Sequence, residues 1–182
     1  MKKTLVISAF PASGKTHCFN DIFVKGRWEV LDSDSSQFSW IKDENGKNTK
    51  ERNPDFPNNY MKHIKDNIGK VDVIFVSSHD NVRKALEAEK IPYYLVYPYN
   101  DEGNYNKALW IQRMRHRGST QDFCDFIYKN WDNFIEDMMM ETWPTHIILD
   151  VSGENKEANG PYISFQLLDN LFTCEDTNEE MF

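Results

Sequence analysis

At 182 residues, with 29 acidic against 21 basic side chains and a net charge of −8, the chain has the length of one α/β domain and no surplus of positive charge. That balance argues against sequence-independent binding to duplex nucleic acid, which needs a basic face, although one local basic groove stays open. A hydrophobic fraction of 40% and an aromatic fraction of 14% exclude a disordered chain.

The opening Met1-Lys2-Lys3 and the apolar residues after it have the flavour of a signal peptide. The apolar run stops at Pro11 with no small-residue cleavage site, so Lys3 to Ala9 reads as a buried parallel strand. A turn with Pro11 and Gly14 follows, then a helix from about Lys15 to Val24, then a short strand over Trp28–Leu31 ending in Asp32-Ser33-Asp34-Ser35-Ser36. Residues 37–59 are polar and read as an inserted, mobile segment. A helix over Asn59–Ile68 leads to Val71–Ser77, the most hydrophobic strand candidate. Asp80 is placed to cap a helix running to Glu89.

Tyr93–Tyr97 is a fourth strand, stopped by Pro98, and Tyr105–Arg117 a helix ended by Gly118. The next helix, Gln121–Met140, carries Phe123, Ile127, Trp131, Phe134, Ile135 and Met138 at steps of three and four. Met138, Met139 and Met140 read as fillers of irregular space. His146–Val151 is a fifth strand, Tyr162–Phe172 a last helix, and the acidic tail from Glu175 reads as frayed. Strands alternating with helices imply a parallel sheet covered on both faces, an α/β three-layer αβα sandwich in one domain spanning the chain. No stretch approaches a membrane span. The cysteines Cys18, Cys124 and Cys174 lack metal-ligand spacing and suit free thiols in a reducing, cytoplasmic compartment.

Ala9-Phe10-Pro11-Ala12-Ser13-Gly14-Lys15-Thr16 matches the phosphate-loop pattern G-x-x-x-x-G-K-[ST] except for alanine at the first glycine. It lies between the first strand and the first helix, where such a loop belongs. Ala12, Ser13, Gly14, Lys15, Thr16 and His17 are the expected nucleotide-binding residues. Gly14 lets the backbone approach the anion, Lys15 reaches the β- and γ-phosphates, and the Thr16 hydroxyl serves Mg²⁺. Ala9 gives up a glycine's freedom to take positive φ.

Asp32 and Asp34 sit at the carboxyl end of the second strand, the side of a parallel sheet where ligands collect. One carboxylate there can hold Mg²⁺ through water, with Asp34 preferred; the other can orient or deprotonate an acceptor hydroxyl. Arg113-Met114-Arg115-His116-Arg117 lies where a lid would close. On a helix Arg113 and Arg117 share a face and Arg115 points away, so the 113/117 pair is expected to steady the transferring phosphoryl group. His79 either orients the γ-phosphate or is a hydrogen-bonded turn residue. Cys18, two residues past the loop, reads as packed rather than reactive. The turn Asp150-Val151-Ser152-Gly153-Glu154 falls on the ligand side of the sheet.

AFPASGKT, the D-x-D after the second strand and R-x-x-x-R in a lid position resemble the nucleotide and shikimate kinase-like branch of P-loop kinases. DSDSSQFSW, NPDFPNNY and IFVSSHDNVRKAL are similar to small phage-encoded nucleotide kinases. The resemblance implies the strand order 2-3-1-4-5, a lid at about residues 100–118 and an acceptor-binding insert at about residues 35–68. It also implies Arg52 and Arg83 as grips for the acceptor's phosphate or carboxylate, beside Asp32 and Asp34. The third strand ends in Ser77-Ser78-His79-Asp80, so the magnesium carboxylate stays open between Asp34, Asp32 and Asp80.

These features lead to an ATP-dependent phosphotransferase, using ATP or another nucleoside triphosphate with Mg²⁺, and acting on a nucleoside monophosphate or similar small anion. Two alternatives stand beside it. One is a kinase for a polynucleotide end or a modified base in DNA, with Lys42, Lys47, Lys50 and Arg52 lining a channel that Asp43, Glu44 and Glu51 interrupt. The other is a nucleotide-dependent switch with little catalysis.

Overall fold

The computed structural model describes residues 2–179, with side chains described to Cys174. In chain order the first half comprises β1 (Leu5–Ala9), α1 (Lys15–Asn20), α2 (Ile22–Arg27), β2 (Val30–Asp32), α3 (Ser36–Ser39), β3 (Trp40–Lys42), β4 (Asn48–Arg52) and α4 (Asn58–Asn67). The second half comprises β5 (Val73–Ser77), α5 (Asp80–Ala88), β6 (Tyr94–Pro98), α6 (Tyr105–His116), α7 (Gln121–Met139), β7 (Thr145–Leu149) and α8 (Phe165–Glu179).

Five strands form one sheet in the order β2-β5-β1-β6-β7. The numbering differs from 2-3-1-4-5 because β3 and β4, which the sequence reading does not include, pair with each other as a separate antiparallel ribbon. With that ribbon set aside, the sheet strands succeed one another as second, third, first, fourth and fifth in chain order. The ladders of β1 with β5, β1 with β6 and β2 with β5 are parallel. Central parallel strands are covered on both faces, which is why β1 and β5 are almost wholly apolar, with only Ser8 and Ser77 polar, instead of alternating. Leu5–Ala9 are buried without exception, as are Val73–Val76.

The residues cluster into two compact units, each discontinuous in sequence. The first holds the chain up to Pro11, Trp28–Val96 and Glu141–His146. In it α4 buries Tyr60, Met61 and Ile64, and α5 buries Val82 and Leu86. The Tyr60 hydroxyl donates to the Ser33 carbonyl at 2.6 Å and accepts from the Ser77 amide at 3.3 Å. Phe38, Phe56 and His63 surround its ring.

The segment expected to be mobile is thus a folded one. Asp43 Oδ1 accepts from the amides of Asn45 and Lys47, both at 2.9 Å, and Gly46 takes φ +75° to close the β3–β4 hairpin. His79, and not Asp80, occupies the cap position of α5.

The second unit holds Ala12–Arg27, Tyr97–Met140 and the chain from Ile147 onward. The expected helix from Lys15 to Val24 is two helices. Asp21 takes an extended conformation, and its Oδ1 accepts from the Phe23 amide at 2.7 Å, capping α2 instead of continuing α1. On α7 the buried stripe is Cys124, Ile127, Trp131, Ile135 and Met138. Cys124 takes the place expected of Phe123, which is partly exposed, and Met139 and Met140 lie in solvent instead of filling space. The Thr120 hydroxyl caps this helix by accepting from the Phe123 amide. The rings of Trp110 on α6 and Trp131 meet edge to face at 6.2 Å.

α8 begins at Phe165, later than Tyr162, and runs to Glu179 through the first residues of the tail expected to fray; residues 180–182 lie outside the described residues. Among the described residues no helix is long and apolar enough to cross a membrane.

Candidate functional site

Within the phosphate-loop segment Ala12 takes φ +65° and Gly14 φ +99°, while Ser13 between them is not of positive φ. Successive residues of alternating handedness turn their amides toward a common side, forming the backbone nest that anions occupy. Two carbonyls fix the sense of that turn. The Ser13 carbonyl accepts from the Ile163 amide at 2.8 Å, and the Ala12 carbonyl lies 3.5 Å from Arg113 Nη1. In a trans peptide the carbonyl and the following N–H point in opposite directions. The Gly14 and Ser13 amides are therefore directed away from Ile163 and Arg113 respectively.

The freedom to take positive φ that Ala9 gives up as the replaced first glycine is not called on there; the positive φ stands at Ala12. Ala9 is an ordinary strand residue in register with Ser77 and Val96. Gly14 has a second reason to lack a side chain. A Cβ there would lie 3.0 Å from Tyr162 Cβ and 3.3 Å from the Ile163 nitrogen. From Gly14 the chain enters α1, whose first internal bond is Cys18 N–H to the Gly14 carbonyl at 2.8 Å. Amides earlier in the turn have no carbonyl within the helix to reach and are directed out of its end. Burial pushes the Cys18 thiol up to about 12, so it stays protonated and inert as expected.

A cleft of about 490 Å³ opens here, lined by Ala12, Ser13, Gly14, Lys15, Thr16, His17, Arg113, Arg117 and Tyr162. Every expected nucleotide-binding residue borders it, together with both lid arginines. None of these described lining residues is a carboxylate. The cleft gathers three fixed cations, and low-dielectric walls concentrate their field.

Arg113 is half-buried. Its Nη1 donates to the Pro161 carbonyl at 2.6 Å, and its guanidinium lies 4.9 Å from the centre of the Trp110 ring. Arg117 is exposed at the rim, with Nε donating to Ser119 Oγ at 3.0 Å. Removal of surrounding water lowers the pKa of both guanidinium groups, and both remain charged at neutral pH. Arg115 points into solvent. Ser13 Oγ is buried without a hydrogen-bond partner, an orphan hydroxyl within the nest.

The remaining expected site residues belong to the first unit. Asp34 is exposed and accepts from the Ser36 amide at 2.9 Å and the Ser36 hydroxyl at 2.7 Å. Asp32 is the last residue of β2. Asp80 receives Lys84 Nζ at 2.9 Å. Arg52 is exposed on β4, its guanidinium 4.0 Å from the centre of the ring of Trp40, its cross-strand partner. His79 Nδ1 lies 3.1 Å from Ser77 Oγ.

Arg83 does not lie open to an anion. It is 5% exposed, donates Nε to Glu141 Oε1 at 2.6 Å and donates Nη1 to the Ser78 carbonyl. Glu141 also accepts from the Tyr93 hydroxyl at 2.8 Å, and Tyr93 titrates well above its ordinary range through burial and that carboxylate. Arg83 is one member of a buried network, occupied on two sides.

Sequence reasoning missed the segment Pro161-Tyr162-Ile163, which supplies two of the bonds around the loop. The dipeptide Gly160-Pro161 marks a loop there, and Gly160 takes φ +97°. The Asp150–Glu154 turn is expected on the ligand side of the sheet, but without a role for Asp150, which organises the turn leading to that segment. Its Oδ1 accepts from the Ser152 amide and hydroxyl at 2.8 and 2.6 Å, and its Oδ2 from the Asn155 amide at 2.8 Å. Burial pushes the Asp150 carboxyl up, but these hydrogen bonds outweigh it and hold the group below the ordinary aspartate range.

No protein-family model matches the chain, and no curated protein matches it. The phage-kinase resemblance accordingly gains no support from either search. Among solved structures, a gluconokinase from Sinorhizobium meliloti 1021 aligns with a TM-score of 0.46 and 14% identity. The alignment covers 80% of this chain and 82% of that one. A likeness of that degree says nothing about the chemistry of this cleft.

Proposed function

We propose that the chain binds a nucleoside triphosphate in the Ala12–His17 cleft and transfers its terminal phosphoryl group to a small anionic acceptor, a nucleoside monophosphate being the leading class. The observation that carries the reading is the alternation of φ at Ala12, Ser13 and Gly14, with the two carbonyls tied back and the amides left to one side. Such a nest suits a chain of phosphate oxygens, and Lys15 beside it supplies a point charge for the β- and γ-oxygens.

In this scheme the protein supplies position and charge. The Ser13 and Gly14 amides hold the phosphate chain, Lys15 follows the charge that develops on the transferring oxygens, and Arg117 approaches from the rim. Asp34 or Asp32 orients the acceptor hydroxyl and draws off its proton. The segment 35–68 contributes acceptor contacts, with Arg52 as the available guanidinium; Arg83 is given no part, being committed to Glu141. A region spanning 100–118 that closes over the nucleotide completes the scheme.

Magnesium fits this cleft as an ion that arrives with the nucleotide. Among the described residues no group of three or more His, Cys, Asp or Glu side chains is placed to hold a metal by itself. Mg²⁺ keeps several waters and takes most of its remaining ligands from substrate phosphates, so the Thr16 hydroxyl is a sufficient protein donor, with Asp34 acting through water. When bound, the ion neutralises charge on the β- and γ-oxygens.

The test is phosphoryl transfer from γ-labelled ATP to a panel of nucleoside monophosphates and small hydroxy acids, with Lys15→Met alongside. The expected result is turnover by the native chain, loss of at least about a hundredfold in Lys15→Met, and unchanged unfolding behaviour. Full turnover in Lys15→Met sinks the proposal.

A further inference from the structure

We infer that Arg113 is a positioning residue: it holds the Pro161–Ile163 segment against the phosphate loop, and in doing so sets the direction in which the Ser13 and Gly14 amides point. This rests on the cleft being a phosphate site, and it separates two arginines that the sequence treats as a pair.

Arg113 Nη1 makes its short bond to the Pro161 carbonyl at 2.6 Å and reaches the Ala12 carbonyl only at 3.5 Å. Two residues beyond Pro161, the Ile163 amide donates to the Ser13 carbonyl at 2.8 Å. Tyr162 between them lies close enough that a Cβ on Gly14 would come within 3.0 Å of its own Cβ. The guanidinium thus ties down one end of a three-residue strap whose other end fixes a loop peptide.

Without that strap, nothing described holds the Ser13 carbonyl, and the Ser13–Gly14 peptide is free to turn its N–H out of the nest. The restraint is needed because Ala12 is an L-residue in the left-handed region, a conformation it leaves readily when released. Arg117 differs in kind. Among the described residues its bonding is confined to Nε, on Ser119 Oγ, which leaves its terminal nitrogens to meet an incoming anion. Arg113 therefore acts on affinity through the loop, and Arg117 acts on the transferring group.

Hydrogen exchange at the Ile163 amide tests the strap with no nucleotide present. Arg113→Met is expected to speed that exchange by roughly tenfold, the equivalent of one charged hydrogen bond, and Arg117→Met to leave it unchanged. Calorimetric titration with Mg-ATP forms the second arm. Arg113→Met should weaken binding by roughly tenfold, and adding Ala12→Gly, which removes the conformational strain, should recover part of it. Arg117→Met should lower kcat more than it raises KM. If Arg113→Met does not fold, Arg113→Lys, which keeps the charge and loses the fork, is measured in its place and should shift both readouts in the same direction. Native protection of the Ile163 amide in a folded Arg113 variant overturns the inference. Failure of the native chain to bind Mg-ATP overturns the phosphate reading instead, and leaves the exchange result to decide the strap.

Discussion

Replacing Gly14 by alanine separates two costs that are usually confounded. The residue sits at φ +99°, where a Cβ meets the following carbonyl at a cost of about 1–2 kcal/mol. The new atom would also stand 3.0 Å from Tyr162 Cβ, 3.3 Å from the Ile163 nitrogen and 3.4 Å from the Ile163 oxygen. Two of these neighbours are backbone, so the strap must move, and overpacking of that kind costs about 1–3 kcal/mol. Gly118 supplies the control. It takes φ +89°, and a Cβ there would meet nothing within 4 Å, so Gly118→Ala carries the backbone cost alone. Urea unfolding of both variants reads the difference directly. Gly14→Ala should be destabilised by about 2–5 kcal/mol and Gly118→Ala by about 1–2 kcal/mol, with unchanged m-values. Gly14→Ala should also lose Mg-ATP binding. Equal destabilisation of the two variants, to within about 0.5 kcal/mol, would refute the close approach of strap and loop.

Three further outcomes follow from the packing. Glu141→Ala leaves the Arg83 guanidinium buried without its carboxylate and should cost about 3–5 kcal/mol in chemical unfolding, while Arg83→Met combined with Glu141→Leu should recover most of that loss. Asp150, whose carboxyl is held below the ordinary aspartate range, contributes stability that is full above that range and is lost as pH falls through its folded value. Asp150→Asn should therefore lower the melting temperature at pH 7 and show a flatter decline in acid than the native chain. Arg52→Ala removes an exposed stacked pair and should change stability by no more than about 1 kcal/mol; the same variant should raise KM for the acceptor if Arg52 grips it.

The parts of the fold visible in the sequence are those where one physical demand dominates. Leu5–Ala9 and Val73–Ser77 are apolar but for one serine each because both faces of the sheet are covered, and the loop stands out because glycine, lysine and threonine in fixed order have one common use. The errors came where two demands compete. Asp21 falls in a helical pattern, yet its carboxylate makes a better cap than an interior residue, so one expected helix is two. Residues 37–59 are polar enough to suggest a mobile insert, but Asn45-Gly46 above an aspartate turn is also a hairpin signal. Arg83 displays a charge in the sequence and conceals its partner, Glu141, 58 residues further on. The strap is illegible for the same reason: Pro161 and Arg113 are 48 residues apart, and only the folded chain shows their bond.

The cleft's three cations sit on a chain whose net charge is −8. At low ionic strength a polyphosphate feels that whole molecule as a repulsive body, because the screening length reaches about 30 Å at 0.01 M. Near physiological salt it shrinks to about 8 Å, and an approaching anion then responds chiefly to Lys15, Arg113 and Arg117. Nucleotide capture by this protein should accordingly quicken on first addition of salt and slow only at higher concentrations, the reverse of the opening trend for a basic protein. A small basic mouth on a chain of net negative charge also discriminates by size. A single nucleotide fits inside the screening distance, whereas a long polyanion extends beyond it and meets the net negative charge of the chain.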